Sequence, residues 1–257
     1  MINNLEQIKT IDQVIEVLET IISESEQSND TSGYFAALYQ KVTIKVKEGI
    51  NTNYFDDGPR MEKLDVIFAK RYIDAYYVWK NNQPVTKSWQ CAFDLSSHYR
   101  PIVFQHLLIG MNAHINLDLG IAAAEVSKGK NIVDLQSDFN KINEVLSDLV
   151  IEVQQNLAEI WPTLKFLLKL SGKIDDFMVD FSMKLARNGA WKFAGKMANC
   201  TIDEWGKQIL ERDEKIAKKT NLVSSPGLIA STIFLIIRLS ERGSVVKKIS
   251  QLKYQVE

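Results

Sequence analysis

Apolar residues recur along most of this chain at intervals of three and four, the period of an amphipathic helix rather than the alternation of a strand. Ile11, Val14, Ile15, Leu18, Ile21 and Ile22 form a first stripe. Thr10 opens it with Gln13 three residues on, the pattern of a capping box. The polar stretch 25–33 reads as a loop, and Phe35, Leu38, Val42 and Val46 mark a second helix. Within that helix Val42-Thr43-Ile44 is β-branched and a poor helix former.

Asp56-Asp57-Gly58-Pro59 signals a turn and a helix start. A third helix is predicted over about 60–79 and a fourth over about 88–96, with Pro101 near the start of the next. Leu135, Phe139, Ile142, Leu146, Leu149, Val153 and Leu157 continue one stripe, which stops at Trp161-Pro162. Further helices are predicted near 163–170, 174–198, 202–218, 228–239 and 245–256, with Thr201 and Glu204 as a second capping box. No strand-like alternation, internal repeat or long linker interrupts the pattern. The prediction is an all-α chain forming a single multi-helix domain of about ten or eleven helices over 1–257. It divides into an N-terminal helix and loop (1–30), a motif-bearing core (31–200) and C-terminal helices (201–257).

Composition adds exclusions. The 257 residues are 46% hydrophobic and 25% charged with a formal net charge of −1, so no nucleic-acid partner is expected. Cys91 and Cys200 are the only cysteines, too few for a disulfide framework and suited to a reducing cytoplasm. The N-terminus shows no export signal. The most apolar run, 228–237, is far short of the roughly 20 residues of a transmembrane segment and reads as a core helix. P-loop, Rossmann, zinc-protease and serine-hydrolase motifs are absent from the sequence.

One apolar helix breaks the pattern. Residues 105–118 carry Gln105, His106, Asn112, His114, Asn116 and Asp118 among Leu and Ile. Buried polar groups are costly without partners, so their concentration marks a candidate site. On a helical wheel His106, Gly110, His114 and Asp118 fall within about 120° of one another, while Gln105, Asn112 and Asn116 gather on the far side. Gly110 leaves a side-chain-sized gap between the histidines. His114 and Asp118, spaced i, i+4, are placed to serve as metal ligands or as a base and its orienting carboxylate. They admit one divalent ion such as zinc, with further ligands needed from elsewhere.

The third helix offers Arg71 and Asp74, either paired with each other or with Asp74 turned towards His106 or His114. Tyr72, Tyr76 and Tyr77 add phenols, and Trp79 and Trp89 aromatic walls. Arg187 and Trp191, one turn apart on a later helix, are expected to stack or to reach the site. His98 reads as a loop residue. The candidate catalytic set is therefore His114, Asp118, His106 and Asp74. Arg71, Asn112, Asn116, Arg187 and Trp191 are the candidates for binding substrate.

The runs 33–39, 55–58, 64–75 and 108–119, above all Gly110-Met111-Asn112-Ala113-His114-Ile115-Asn116-Leu117-Asp118-Leu119, resemble a bacterial family catalogued as a domain of unknown function. The likeness extends over about 30–200 and also takes in Arg187-x-x-x-Trp191. It implies a helical fold and sets Arg71, Asp74, His114, Asn116 and Asp118 inside the family's motifs, without a reaction. A fainter resemblance is to helical zinc-dependent phospholipase C and P1-type nucleases, which use H-x-x-x-D among their ligands. Three histidines are too few for the metal cluster of those enzymes.

Three functions are compatible with these residues. The first is an intracellular enzyme acting on a small molecule, with hydrolysis of an ester or phosphoester as its class. The second is a non-catalytic module with a large apolar cavity for a small ligand. In the third, the polar helix only cross-links its neighbours. Substrate, metal identity and oligomeric state are not legible in the sequence.

Overall fold

The computed structural model describes residues 7–142, 144–145, 183–224 and 228–253. Among these there is no strand. The helices are α1 (Ile11–Ser28), α2 (Gly33–Asn51), α3 (Gly58–Lys80), α4 (Lys87–Asp94), α5 (Val103–Ala113), α6 (Leu119–Val126), α7 (Met183–Ala198), α8 (Ile202–Ser224), α9 (Leu228–Ser240) and α10 (Val245–Leu252). The fold is all-α, as the periodicity predicts. The stripe beyond residue 145, the helix at 163–170 and the first half of that at 174–198 lie outside the described residues.

Local chemistry sets most boundaries. Thr10 and Gln13 close the capping box of α1 in both directions. The helix then runs on through the polar stretch expected to be a loop, and stops where Asn29 takes a left-handed conformation (φ 54°). In α2 the β-branched run is accommodated because the Thr43 hydroxyl donates to the Tyr39 carbonyl one turn back, at 3.1 Å. Asp57 caps α3, its carboxylate accepting from the Arg60 amide at 3.0 Å, with Pro59 in the first turn.

Three N-termini, that of α3 included, are served from a distance. Asp138 accepts from the amides of Asp56 and Asp57 ahead of α3. Asp213 of α8 accepts from the amides of Lys87 and Ser88 and from the Ser88 hydroxyl at the start of α4. Glu241 accepts from the Val103 amide at the start of α5. A helix leaves its first amides without internal partners, and a buried carboxylate serves them well.

The centre of the fold is one continuous helical run, α5, a π-helical turn over His114–Asp118, and α6. Among the described residues this run, Val103–Val126, alone is long and apolar enough to cross a membrane, and 89% of its most apolar window is buried by the rest of the chain. α2, α4 and α8 pack against α5, while α3 and α7 pack against α6. The apolar run near 228–237 is only partly a core element. Phe234 and Ile237 of α9 are buried, but Leu235, Ile236 and Leu239 are exposed.

Candidate functional site

The phase of α3 differs from the one expected. Its buried positions include Met61, Asp65, Ala69, Tyr72 and Tyr76, and the stripe through Ile67, Ala75 and Val78 is only half-buried. Asp74 therefore sits at the edge. It pairs with Lys70 at 2.8 Å, and its side chain is 44% exposed. The expected Arg71–Asp74 pair does not form, and Asp74 faces neither histidine of the central helix, because the i, i+4 lysine reaches it first. Arg71 instead donates through Nε to Asp118 Oδ1 at 2.7 Å.

Asp118 is the hub. It is fully buried, and its Oδ2 accepts from the Trp89 indole at 2.8 Å and lies 3.2 Å from His114 Nδ1. Unlike Asp138, Asp213 and Glu241, it receives no backbone amide; the three partners it has are all side chains. Burial alone would raise its carboxyl, but Arg71, and after it His114, hold it below the usual carboxylate range. An ionised carboxylate only accepts, so the proton between the two residues belongs to Nδ1 of His114. Burial pushes the imidazole below its ordinary range despite the pull of Asp118. His114 is thus neutral near pH 7, and its Nε2 is bare.

That Nε2 is buried and has no hydrogen-bond partner. The ring lies flat on Phe68 (centroids 3.6 Å, interplanar angle 7°), with the Tyr39 ring edge-on at 4.4 Å and Phe35 and Trp89 at 5.8 Å. The gap at Gly110 is filled by Phe35, whose ring would stand 2.5 Å from a Cβ there. The π turn, with an i→i+5 bond from the Leu119 amide to the His114 carbonyl, is the backbone irregularity at this point. Such turns occur often at functional sites.

More unpartnered polar atoms surround this box: the hydroxyl of Tyr72, His106 Nε2 and Asp65 Oδ2. Burial raises the Asp65 carboxyl to about 8, with Glu62 adding to the effect. Burial lowers His106 to about 3, and its ring meets Tyr34 edge-on at 5.6 Å. Beside His106 lies a cavity of about 20 Å³, room for one water. Phe35, Tyr72 and Trp89 wall both this cavity and the His114 box.

The far stripe behaves differently. Gln105 Nε2 donates to the Val223 carbonyl at 2.8 Å, and Asn112 Nδ2 to the Ile216 carbonyl and Thr220 Oγ1. Asn116 Nδ2 donates to Asn112 Oδ1, and Arg212 Nε donates to the Asn116 carbonyl at 3.0 Å. All but the Asn116–Asn112 bond dock α8. Asn112 and Asn116 are therefore occupied away from His114. Arg187 is buried on α7, and Trp191 packs on Phe139 rather than taking its guanidinium. His98 is an exposed residue following a short 3-10 turn.

Zinc does not fit the His114–Asp118 pair. Both carboxylate oxygens are engaged, Nδ1 is spent on Asp118, and Nε2 faces aromatic rings. No cluster of three or more His, Cys, Asp or Glu suited to a metal occurs among the described residues. Sequence reasoning also missed Phe35, Tyr39, Phe68 and Asp65. The available signal was the i, i+4, i+7 series Asp65, Ala69, Tyr72 on α3, which places an acid directly on an aromatic face.

No curated protein and no solved structure matches this chain. The sequence profile of a Family of unknown function (DUF5995) matches residues 11–226, spanning the aromatic box, the π turn and α8. The chain belongs to that family.

Proposed function

We propose that this protein is an enzyme with His114 as general base, acting without a metal on a small ester or phosphoester. The observation that supports this reading is the state of one imidazole: Nδ1 anchored on an ionised Asp118, Nε2 bare and unpartnered. In that arrangement Nε2 takes a proton from the attacking water, Asp118 stabilises the imidazolium that forms, and the imidazolium returns the proton to the leaving oxygen as the ester bond breaks. Arg71, with 27% of its side chain exposed, is the part of the network nearest solvent and meets an anionic group of the substrate. The water-sized cavity next to His106 supplies the attacking water once Phe35 or Tyr72 turns. Cytoplasmic residence suits the two free cysteines.

The test compares wild type with His114→Asn, whose amide keeps the donor to Asp118 and deletes the Nε2 acceptor. Both are assayed on carboxylic esters, phosphomonoesters and phosphodiesters. Wild type is expected to turn over at least one class, with a loss of ~10²-fold or more in the variant. No turnover by wild type, or equal turnover by both, contradicts the reading.

A purely structural reading has its own observation. Arg71, Trp89 and Asp118 tie α3, α4 and the π turn together through side chains alone. It predicts that His114→Asn alters stability and nothing else. The cavity beside His106, with room for one water, does not by itself support small-ligand storage.

A further inference from the structure

The cationic side chains that are buried or nearly so mostly have a carboxylate. Arg60 has Asp138, Arg71 has Asp118, and Arg238 and Lys248 share Glu241. Arg187 does not. It is 3% exposed, Nε and Nη1 are fully buried without a partner, and no ion pair reaches it among the described residues. Its neighbours on α7, Ala186 and Ala190, belong to the buried apolar cluster that also holds Leu64, Ile115 and Leu119. A second guanidinium without a carboxylate comes against the same helix two residues on. Nη2 of Arg212 stands 3.2 Å from where a Cβ on Gly189 would be.

We propose that Arg187 anchors a binding site for a small oxyanion, a carboxylate or phosphate group, on α7. A buried charge left uncompensated is strongly destabilising, and a guanidinium offers planar paired donors that match an oxyanion. Burial lowers Arg187 only to about 10, so it stays cationic at neutral pH and does not escape the cost by losing its proton. The site is independent of the role given to His114: it requires an anion, not a reaction.

Thermal unfolding tests it at constant ionic strength, with chloride replaced stepwise by inorganic phosphate or by acetate. Wild type is expected to show a saturating rise in midpoint with at least one of them, and which one separates phosphate from carboxylate recognition. Arg187→Gln is expected to unfold no earlier than wild type in chloride, since it sheds an unpaired charge, and to lose the response. No response by wild type to either anion, or an equal response by Arg187→Gln, overturns the proposal. Should the variant fail to fold, equilibrium dialysis of wild type against labelled phosphate and acetate decides: about one bound anion per chain supports the site, and none overturns it.

Discussion

Two faces of one helix carry similar polar residues and use them in opposite ways. On the face towards α8, Gln105 and Asn112 spend their amide donors on backbone carbonyls and a threonine, and Asn116 spends its own on Asn112. On the face towards α2, α3 and α4, His106 and His114 each keep a buried nitrogen without a partner, next to the Tyr72 hydroxyl in the same state. Each unsatisfied group costs about 1–3 kcal/mol. A core selected for stability alone has the means to avoid that cost, as the first face demonstrates. The second face is the one on which the proposed base depends.

The comparison sharpens most at Asp118. Asp118→Ala leaves Arg71, Trp89 and His114 without their acceptor, and breaking a buried pair costs about 3–5 kcal/mol. Urea denaturation checks this, and a loss below about 1 kcal/mol would show the network to be idle. Gly110→Ala comes next. The new methyl meets the Phe35 ring, and such overpacking costs about 1–3 kcal/mol. It should also displace a wall of the His114 box, visible as a change in the His114 ring signals.

Asn112→Ala tests the other face. It deletes the donor to the Ile216 carbonyl and to Thr220, for about 1–2 kcal/mol, and should leave any hydrolytic rate unchanged. A lost rate with an intact fold would join the two faces into one site. The smallest effect is a slope with pH. The folded-state value of Asp65, about 8, lies above its ordinary 3.8, so its contribution is full below about pH 4 and is lost as pH rises towards 8. Asp65→Asn cannot ionise, and its stability relative to wild type should climb through that window. His106 works in the other direction: lowered to about 3 from 6.5, it costs stability as pH falls below 6.5. A pH-independent difference between Asp65→Asn and wild type would mean that the carboxyl is not held protonated.

Much of this was legible in the sequence. The 3.6-residue period and the caps at Thr10 and Asp57 mark the helices, and the wheel through 105–118 separates the two polar faces before any contact is known. Partner choice was not legible. Arg71 has Asp74 three residues on, yet bonds Asp118 from another helix, because the stripe of α3 turns Asp65 and Tyr72 inward and leaves Asp74 to Lys70. The zinc reading meets a related obstacle. Two residues at ligand spacing say nothing of what already occupies their lone pairs, and here an arginine and an indole do. The aromatic box was hidden because Phe35, Tyr39 and Phe68 look like ordinary core residues until the ring they surround is seen to be a histidine.

With three histidines in the chain, nitrogen-15 spectra of the imidazole rings, assigned through His114→Asn, reach the central claim most directly. The account predicts at pH 7 a neutral His114 with its proton on Nδ1 and an unprotonated Nε2. Protonation of Nε2, either as the other tautomer or as an imidazolium, would contradict it: His114 would then have no lone pair with which to act as a base.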